Sequence, residues 1–212
     1  MTINKTSTYK TIFWDFDGVI KDSIEAKTEV FCNIFLSFGV ELVDKICKHH
    51  LENGGMSRFE KIPLYLKWCK QKNIEAETNK YIEKFSDKVI DKVLSSMWVP
   101  GVLNYLNNFY KKQNFIIVSG TPQDEMELIL EKTQIKKYFL SIFGAPVKKK
   151  DAIKDIIDQY DLNLDECLLI GDAKSDLDAA TSNKISFLLR THKLNKDYFL
   201  DYTGMRIENF NE

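Results

Sequence analysis

The sequence predicts an α/β fold built on a doubly wound parallel sheet. Three observations carry that expectation. Short apolar runs recur at 11–14, 115–118, 140–143, 167–170 and 185–189 with helical stretches between them, the alternation of a parallel sheet. Each run gives way to small or polar residues, among them Ser119-Gly120-Thr121, Gly144-Ala145-Pro146 and Gly171-Asp172-Ala173, so the loops after the strands carry the reactive side chains. Nearly a hundred residues separate the first run from the second without a convincing strand, far more than a βαβ crossover needs, which predicts an inserted helical domain.

Taken in order, the run 11–14 is a buried strand ending in Asp15-Phe16-Asp17-Gly18-Val19. A helix follows over 23–38, with Ile24, Val30, Phe31, Ile34, Phe35 and Phe38 at helical spacing, an Asp22/Glu25 capping pair before it and Gly39 after it. Further helices are expected over 42–51, 57–72, where Pro63 bends or restarts the helix, and 78–96. Phe59, Ile62, Leu66 and Cys69 form one apolar stripe and Tyr81, Phe85, Val89 and Val93 another; both read as core packing. Val99-Pro100-Gly101 marks the return to the sheet, and a helix follows over 102–111. The expected division is an α/β core of residues 1–21 and 97–212 and a helical insertion of 22–96.

Composition excludes several classes. A formal charge of -1 gives no general affinity for nucleic acid or an anionic membrane surface. The hydrophobic fraction of 44% is that of a globular chain, not a disordered one. Residues 1–10 are polar and lack the apolar core of a secretory leader, and no apolar run approaches the length needed to cross a bilayer. Cys32, Cys47, Cys69 and Cys167 have no paired spacing, and reduced thiols in a cytoplasmic protein account for them. Oligomeric state stays open between a monomer and a weak dimer.

Two carboxylates leaving the end of a buried strand make little sense as packing, because a buried carboxylate is costly unless paired or metal-bound. Asp15 is placed to attack and Asp17 to handle protons, with an acidic strand-to-helix turn as the plainer alternative. Ser119 and the Gly120 amide lie where the next helix begins and where backbone donors favour an anion; Thr121-Pro122 reads as that helix's cap and first residue. After the fourth run, Gly171-Asp172-Ala173-Lys174-Ser175-Asp176 supplies two more acids, with Ser175 and Asp178 as a further capping pair. Acids converging on Asp15 and Asp17 require a cation, and oxygen-only ligands suit Mg²⁺. One of Lys148, Lys149 and Lys150 would reach the anionic site, and helix phase favours Lys149, four residues before Ile153. In the insertion, Asn53-Gly54-Gly55-Met56-Ser57-Arg58 reads as a turn overhanging the site, with Ser57/Glu60 as a helix cap and Arg58 as a guanidinium for substrate oxygens. His49 and His50, just before it, read as solvated surface.

These pieces in this order, DFDGV at 15–19, SGT at 119–121, a lysine at 148–150 and GDAKSD at 171–176, resemble the haloacid dehalogenase superfamily. The resemblance spans residues 12–176, and the placement of the insertion is similar to the C1-type cap of the phosphoglycolate phosphatase and β-phosphoglucomutase branch. The lysine motif departs from the family's common Lys-Pro pair. The resemblance implies a Rossmann-like core under an all-helical cap and a Mg²⁺-dependent phosphatase for a small phosphorylated metabolite such as a sugar phosphate. Asp15 would form an aspartyl-phosphate, and Asp17 would protonate the leaving group and then activate water. Asp15, the Asp17 backbone carbonyl and Asp172 would hold Mg²⁺, supported by Asp176; Ser119, Gly120, Lys149 and Arg58 would bind phosphate and substrate. An acid at position 17 suits phosphate esters, since a halide leaving group needs none. A phosphosugar mutase is the alternative; a phospho-accepting receiver, which has no use for a large cap, and an inert binding module stand further back.

Overall fold

A computed structural model describes residues 3–211; Met1, Thr2 and Glu212, assigned above to the core, lie outside the described residues. The sheet has six parallel strands in the order β3-β2-β1-β4-β5-β6: β1 Thr11–Trp14, β2 Asn114–Pro122, β3 Ser141–Ala145, β4 Cys167–Gly171, β5 Ser186–Arg190 and β6 Met205–Ile207. The short β6 has no counterpart in the apolar runs of the sequence: only Ile207 of its three residues is buried, so it reads as loop. β1 lies between β2 and β4, with Trp14 opposite both Ile117 and Ile170. The strand order reverses there, and the loops after β1, β2 and β4 meet at one edge.

Alternation along β1 sends Ile12 and Trp14 to one face and Phe13 to the other, and both faces are covered. Phe13, Ile116, Val118, Leu169 and Leu189 pack under helices α7 (Lys149–Tyr160) and α8 (Lys174–Ser182). The Trp14 face packs against α5 (Val102–Phe109) and α6 (Gln123–Lys132), and its apolar core runs on into the insertion through Phe16 and Val19.

That insertion comprises α1 (Ile24–Ile34), α2 (Val40–Glu52), α3 (Arg58–Trp68) and α4 (Ile74–Ser95). α4 buries Tyr81, Phe85, Val89 and Val93, the stripe its periodicity marks. α3 is rotated from expectation. It buries Arg58, Lys61, Ile62, Tyr65 and Leu66, while Phe59 is 37% exposed, because the cavity beneath takes cations that a hydrophobicity pattern assigns to solvent. α1 stops at Ile34 and a 3-10 turn (Leu36–Phe38) leads to Gly39. Asp22 does not cap α1 but pairs with Arg190 (2.5 Å). Cys32 and Cys47, expected as separate thiols, are joined across α1 and α2 with Cα atoms 5.7 Å apart; helix packing brings them together, which spacing alone does not reveal. Among the described residues, no helix is long and apolar enough to cross a membrane.

Candidate active site

Asp15 extends β1 by one residue, its N–H donating to the Ile170 carbonyl at 2.9 Å. Its carboxylate is thereby fixed at the mouth of the sheet, where Oδ1 accepts from the Phe16 amide (2.8 Å) and pairs with Lys149 Nζ (2.9 Å). Lys149 opens α7 and also reaches Asp176 Oδ1 at 2.5 Å; of the three lysines it is the buried one. Asp176, in the first turn of α8, accepts the amides of Ala173 (3.0 Å) and Asp172 (3.3 Å) on Oδ2. The helix is therefore capped from its third residue, not by Ser175, whose hydroxyl donates to Gly54 of the insertion at 3.0 Å. Asp172 is held by His192 Nε2 (2.9 Å) on its side chain and by Asn195 Nδ2 (2.7 Å) on its carbonyl, both from the loop after β5. The turn after β1 passes so close to Asp172 that a Cβ on Gly18, already at φ +78°, would lie 2.2 Å from Oδ2.

Asp15, Asp172 and Asp176 present one carboxylate oxygen each within 4.8 Å of one another, all buried. Burial, only partly offset by Lys149 and reinforced by Asp176 and Asp17, raises Asp15 to about 7. Burial raises Asp172 and Asp176 as well, against the hydrogen bond from His192 in one and against Lys149 in the other. For Lys149 burial opposes the charge, yet Asp15 and Asp176 together push its pKa above the ordinary lysine value. The cluster thus holds more acid than its own lysine neutralises. Such a set of hard oxygen donors fits a divalent cation.

The Asp17 side chain is outside this cluster. It accepts from Ser23 Oγ (2.6 Å), from Thr121 Oγ1 (3.0 Å) and from Lys27 of α1, and Lys27 also donates to Thr121 Oγ1 at 2.8 Å. Burial acts against ionisation, but Lys27 and the two hydroxyls outweigh it and hold Asp17 below the usual carboxylate range. Thr121 is consequently not a helix cap. β2 runs on to Pro122, α6 starts at Gln123, and the threonine hydroxyl belongs to the site. Ser119 is buried and its Oγ accepts the Thr121 amide at 3.2 Å; it lines a cleft beside Lys149 and not the cavity over Asp15, whereas Gly120 lines both.

A cavity of about 80 Å³ lies above these groups, walled by Asp15, Asp17, Lys27, His50, Arg58 and Lys61 among others. The loop before α3 closes it, and a Cβ on Gly55 (φ +77°) would lie 2.1 Å from Ser175 Oγ, so only glycine allows so close an approach. Ser57 caps α3 by accepting the Phe59 amide (3.3 Å). Arg58, expected as a guanidinium over the phosphate site, does line the cavity, and both of its terminal nitrogens grip Glu125 of α6 at 2.6 Å, with Ser86 at 2.7 Å. That tie joins the insertion to the core. His50 is not surface: it is buried, its pKa pushed well below the ordinary value by burial and by Lys61, while His49 is half-buried against the Tyr65 hydroxyl (3.0 Å). Thr121 lies in the SGT motif but reads there as a helix cap, and Ser23, Lys27, His192, Asn195, Lys61 and Glu125 carry no motif that singles them out; among these a signal existed only for Lys61, three residues after Arg58 on a helix whose next apolar residues are Ile62, Tyr65 and Leu66.

A family model described as haloacid dehalogenase-like hydrolase matches residues 12–189. No curated protein matches the sequence. Among solved structures the chain is similar to a haloacid dehalogenase-like family hydrolase from Streptococcus pneumoniae, at TM-score 0.73 and 19% identity over 95% of this chain and 94% of that one. A protein titled a predicted phosphatase from Clostridium acetobutylicum matches at TM-score 0.71 and 18% identity, over 93% of each chain. One titled a predicted phosphoglycolate phosphatase from Haemophilus somnus matches at TM-score 0.73 and 16% identity, over 96% of this chain and 95% of that one. At these identities the structural likeness shows the fold.

Proposed function

The chain belongs to the haloacid dehalogenase-like hydrolases, and from that premise we propose that it is a Mg²⁺-dependent phosphatase acting on a small phosphorylated metabolite through an aspartyl-phosphate. In this reading residues 1–21 and 97–212 form the catalytic core and 22–96 the cap that closes over it. The observation that carries the proposal is the separation of two acids in one site: Asp15 in a buried, cation-seeking cluster and Asp17 on a separate hydrogen-bonded ledge.

Asp15 is the nucleophile. Its Oδ1 is committed to the Phe16 amide and Lys149, which leaves Oδ2 to attack phosphorus. Asp17, held on Ser23, Lys27 and Thr121, exchanges one proton with the reacting oxygens: in its protonated form it gives that proton to the departing alkoxide, and the carboxylate left behind takes one from the water that cleaves the acyl-phosphate. Lys149, with the Gly120 amide at the edge of the cavity and Ser119 in the adjoining cleft, answers the charge of the phosphoryl oxygens. Asp15, Asp172 and Asp176, with the Asp17 backbone carbonyl, would hold Mg²⁺, and His192 and Asn195 orient Asp172 toward it. When bound, the ion supplies positive charge to the phosphoryl group and to the acid cluster. Closure by the glycine loop keeps bulk water from the acyl-phosphate.

Turnover of p-nitrophenyl phosphate with Mg²⁺, its loss on chelation and its return on adding Mg²⁺ back is the expected result. Turnover indifferent to the chelator removes the metal from the proposal, and absence of turnover on any phosphate monoester removes the phosphatase.

A further inference from the structure

Among the cations that line the cavity, Lys61 differs from Lys27 and Arg58. Lys27 faces Asp17 and Arg58 faces Glu125, but Lys61 makes no ion pair among the described residues. Its side chain is 1% exposed, and its ammonium donates to His50 Nδ1 (3.1 Å) and to the His50 carbonyl (3.2 Å) beside the Phe31 ring. An ammonium has three N–H groups, so one has no protein acceptor there. His50 adds a second donor. With Nδ1 accepting from Lys61, the neutral ring carries its proton on Nε2, and that N–H meets no acceptor among the described residues. A buried cation without a counter-charge is costly, and nothing in the packing of the cap requires one there. Burial and the charge of Lys27 push Lys61 down to about 7, outweighing the opposing pull of Glu60, which makes no ion pair with it.

Resting on the phosphatase reading, we propose that Lys61 and His50 form a subsite for a second anionic group on the leaving-group part of the substrate. The substrate is then a compact phosphomonoester with a second negative charge, supplied by a carboxylate or by another phosphate. The transferred phosphoryl lies at the acid cluster below, the second anion takes the free donors above, and Phe31 and Phe85 on the cavity wall face a short carbon link between them.

The test is a matched set on the full chain with Mg²⁺: glycerol 3-phosphate, 3-phosphoglycerate and glycerol 1,3-bisphosphate, with p-nitrophenyl phosphate reporting the chemistry. We expect kcat/KM for at least one doubly anionic member to exceed that for glycerol 3-phosphate by at least about tenfold. The favoured member distinguishes carboxylate from phosphate. In Lys61→Met the preference shrinks to within about threefold of unity, and Lys61→Arg retains it. Equal rates on the three esters by a wild-type protein that turns over p-nitrophenyl phosphate overturn the subsite and spare the phosphatase. No turnover of any ester overturns both. A preference that survives in Lys61→Met, or in Lys61→Gln if the first variant does not fold, also overturns it.

Discussion

The floor and the roof of the cavity are unbalanced in opposite senses. On the floor Asp15, Asp172 and Asp176 share one lysine and a histidine; on the roof Lys61 has only a neutral histidine and a carbonyl to bond. In a medium of low dielectric neither excess is stable alone. Each layer is therefore built to be completed from outside, the floor by a cation and the roof by an anion. In the proposed reading, a phosphorylated molecule held with Mg²⁺ would supply both charges at once.

The floor's role is broken most sharply at Asp15. Asp15→Asn keeps the size and the Phe16 hydrogen bond but removes the attacking charge, and turnover should fall by on the order of 10⁴-fold or more, with no trapped acyl-phosphate. A wild-type rate from this variant moves the nucleophile elsewhere. The tie between the layers comes next. Arg58 and Glu125 are a buried bidentate pair, and Glu125→Ala leaves the guanidinium stranded, so urea unfolding should show a loss of roughly 3–5 kcal/mol. Arg58→Met with Glu125→Leu should recover most of it; an unchanged midpoint in the single variant means the pair contributes nothing.

The two layers also differ in how much of them is legible in sequence. Two of the floor's acids sit at strand ends, where an apolar run turning abruptly to Asp15 or Asp172 stands out over four or five positions, and Asp176 follows within the same short motif. The six-stranded sheet, its insertion and the acid cluster follow from that local contrast, and only the short, half-exposed β6 escapes it. Roof residues sit on helices, where polar means outward until proved otherwise. Phase on α3 cannot distinguish a buried face with Lys61 from one with Phe59, because the difference lies in what the cavity offers. Thr121 and Lys27 fail for another reason: each acts on Asp17 across the chain, at separations of 104 and 10 residues, and only the assembled fold shows a partner.

Lys27 links the layers through Asp17, so removing it sharpens the comparison from the roof's side. Lys27→Met leaves burial less opposed, and the Asp17 pKa rises. Asp17 must carry a proton when the alkoxide departs, so the alkaline limb of the kcat/KM profile should move to higher pH by roughly 1–3 pH units. An unshifted limb makes Lys27 a packing residue only.

The smallest effect separates stability from function at Lys61 itself. Its pKa is about 7 in the folded protein against an ordinary 10.5, so between those values the unfolded chain binds the extra proton and folding is favoured as pH rises. Ligand-free protein should therefore gain thermal stability between pH 7 and pH 9 through this group, and Lys61→Met should lack that increment. At pH 7 the same variant should be more stable by about 1 kcal/mol, the low end for replacing a buried charge by a hydrocarbon, because part of the wild-type population is already neutral there. Gaining stability while losing the preference for a second anion is the signature of a site residue kept at the fold's expense. A variant that loses both makes Lys61 an ordinary part of the cap's packing.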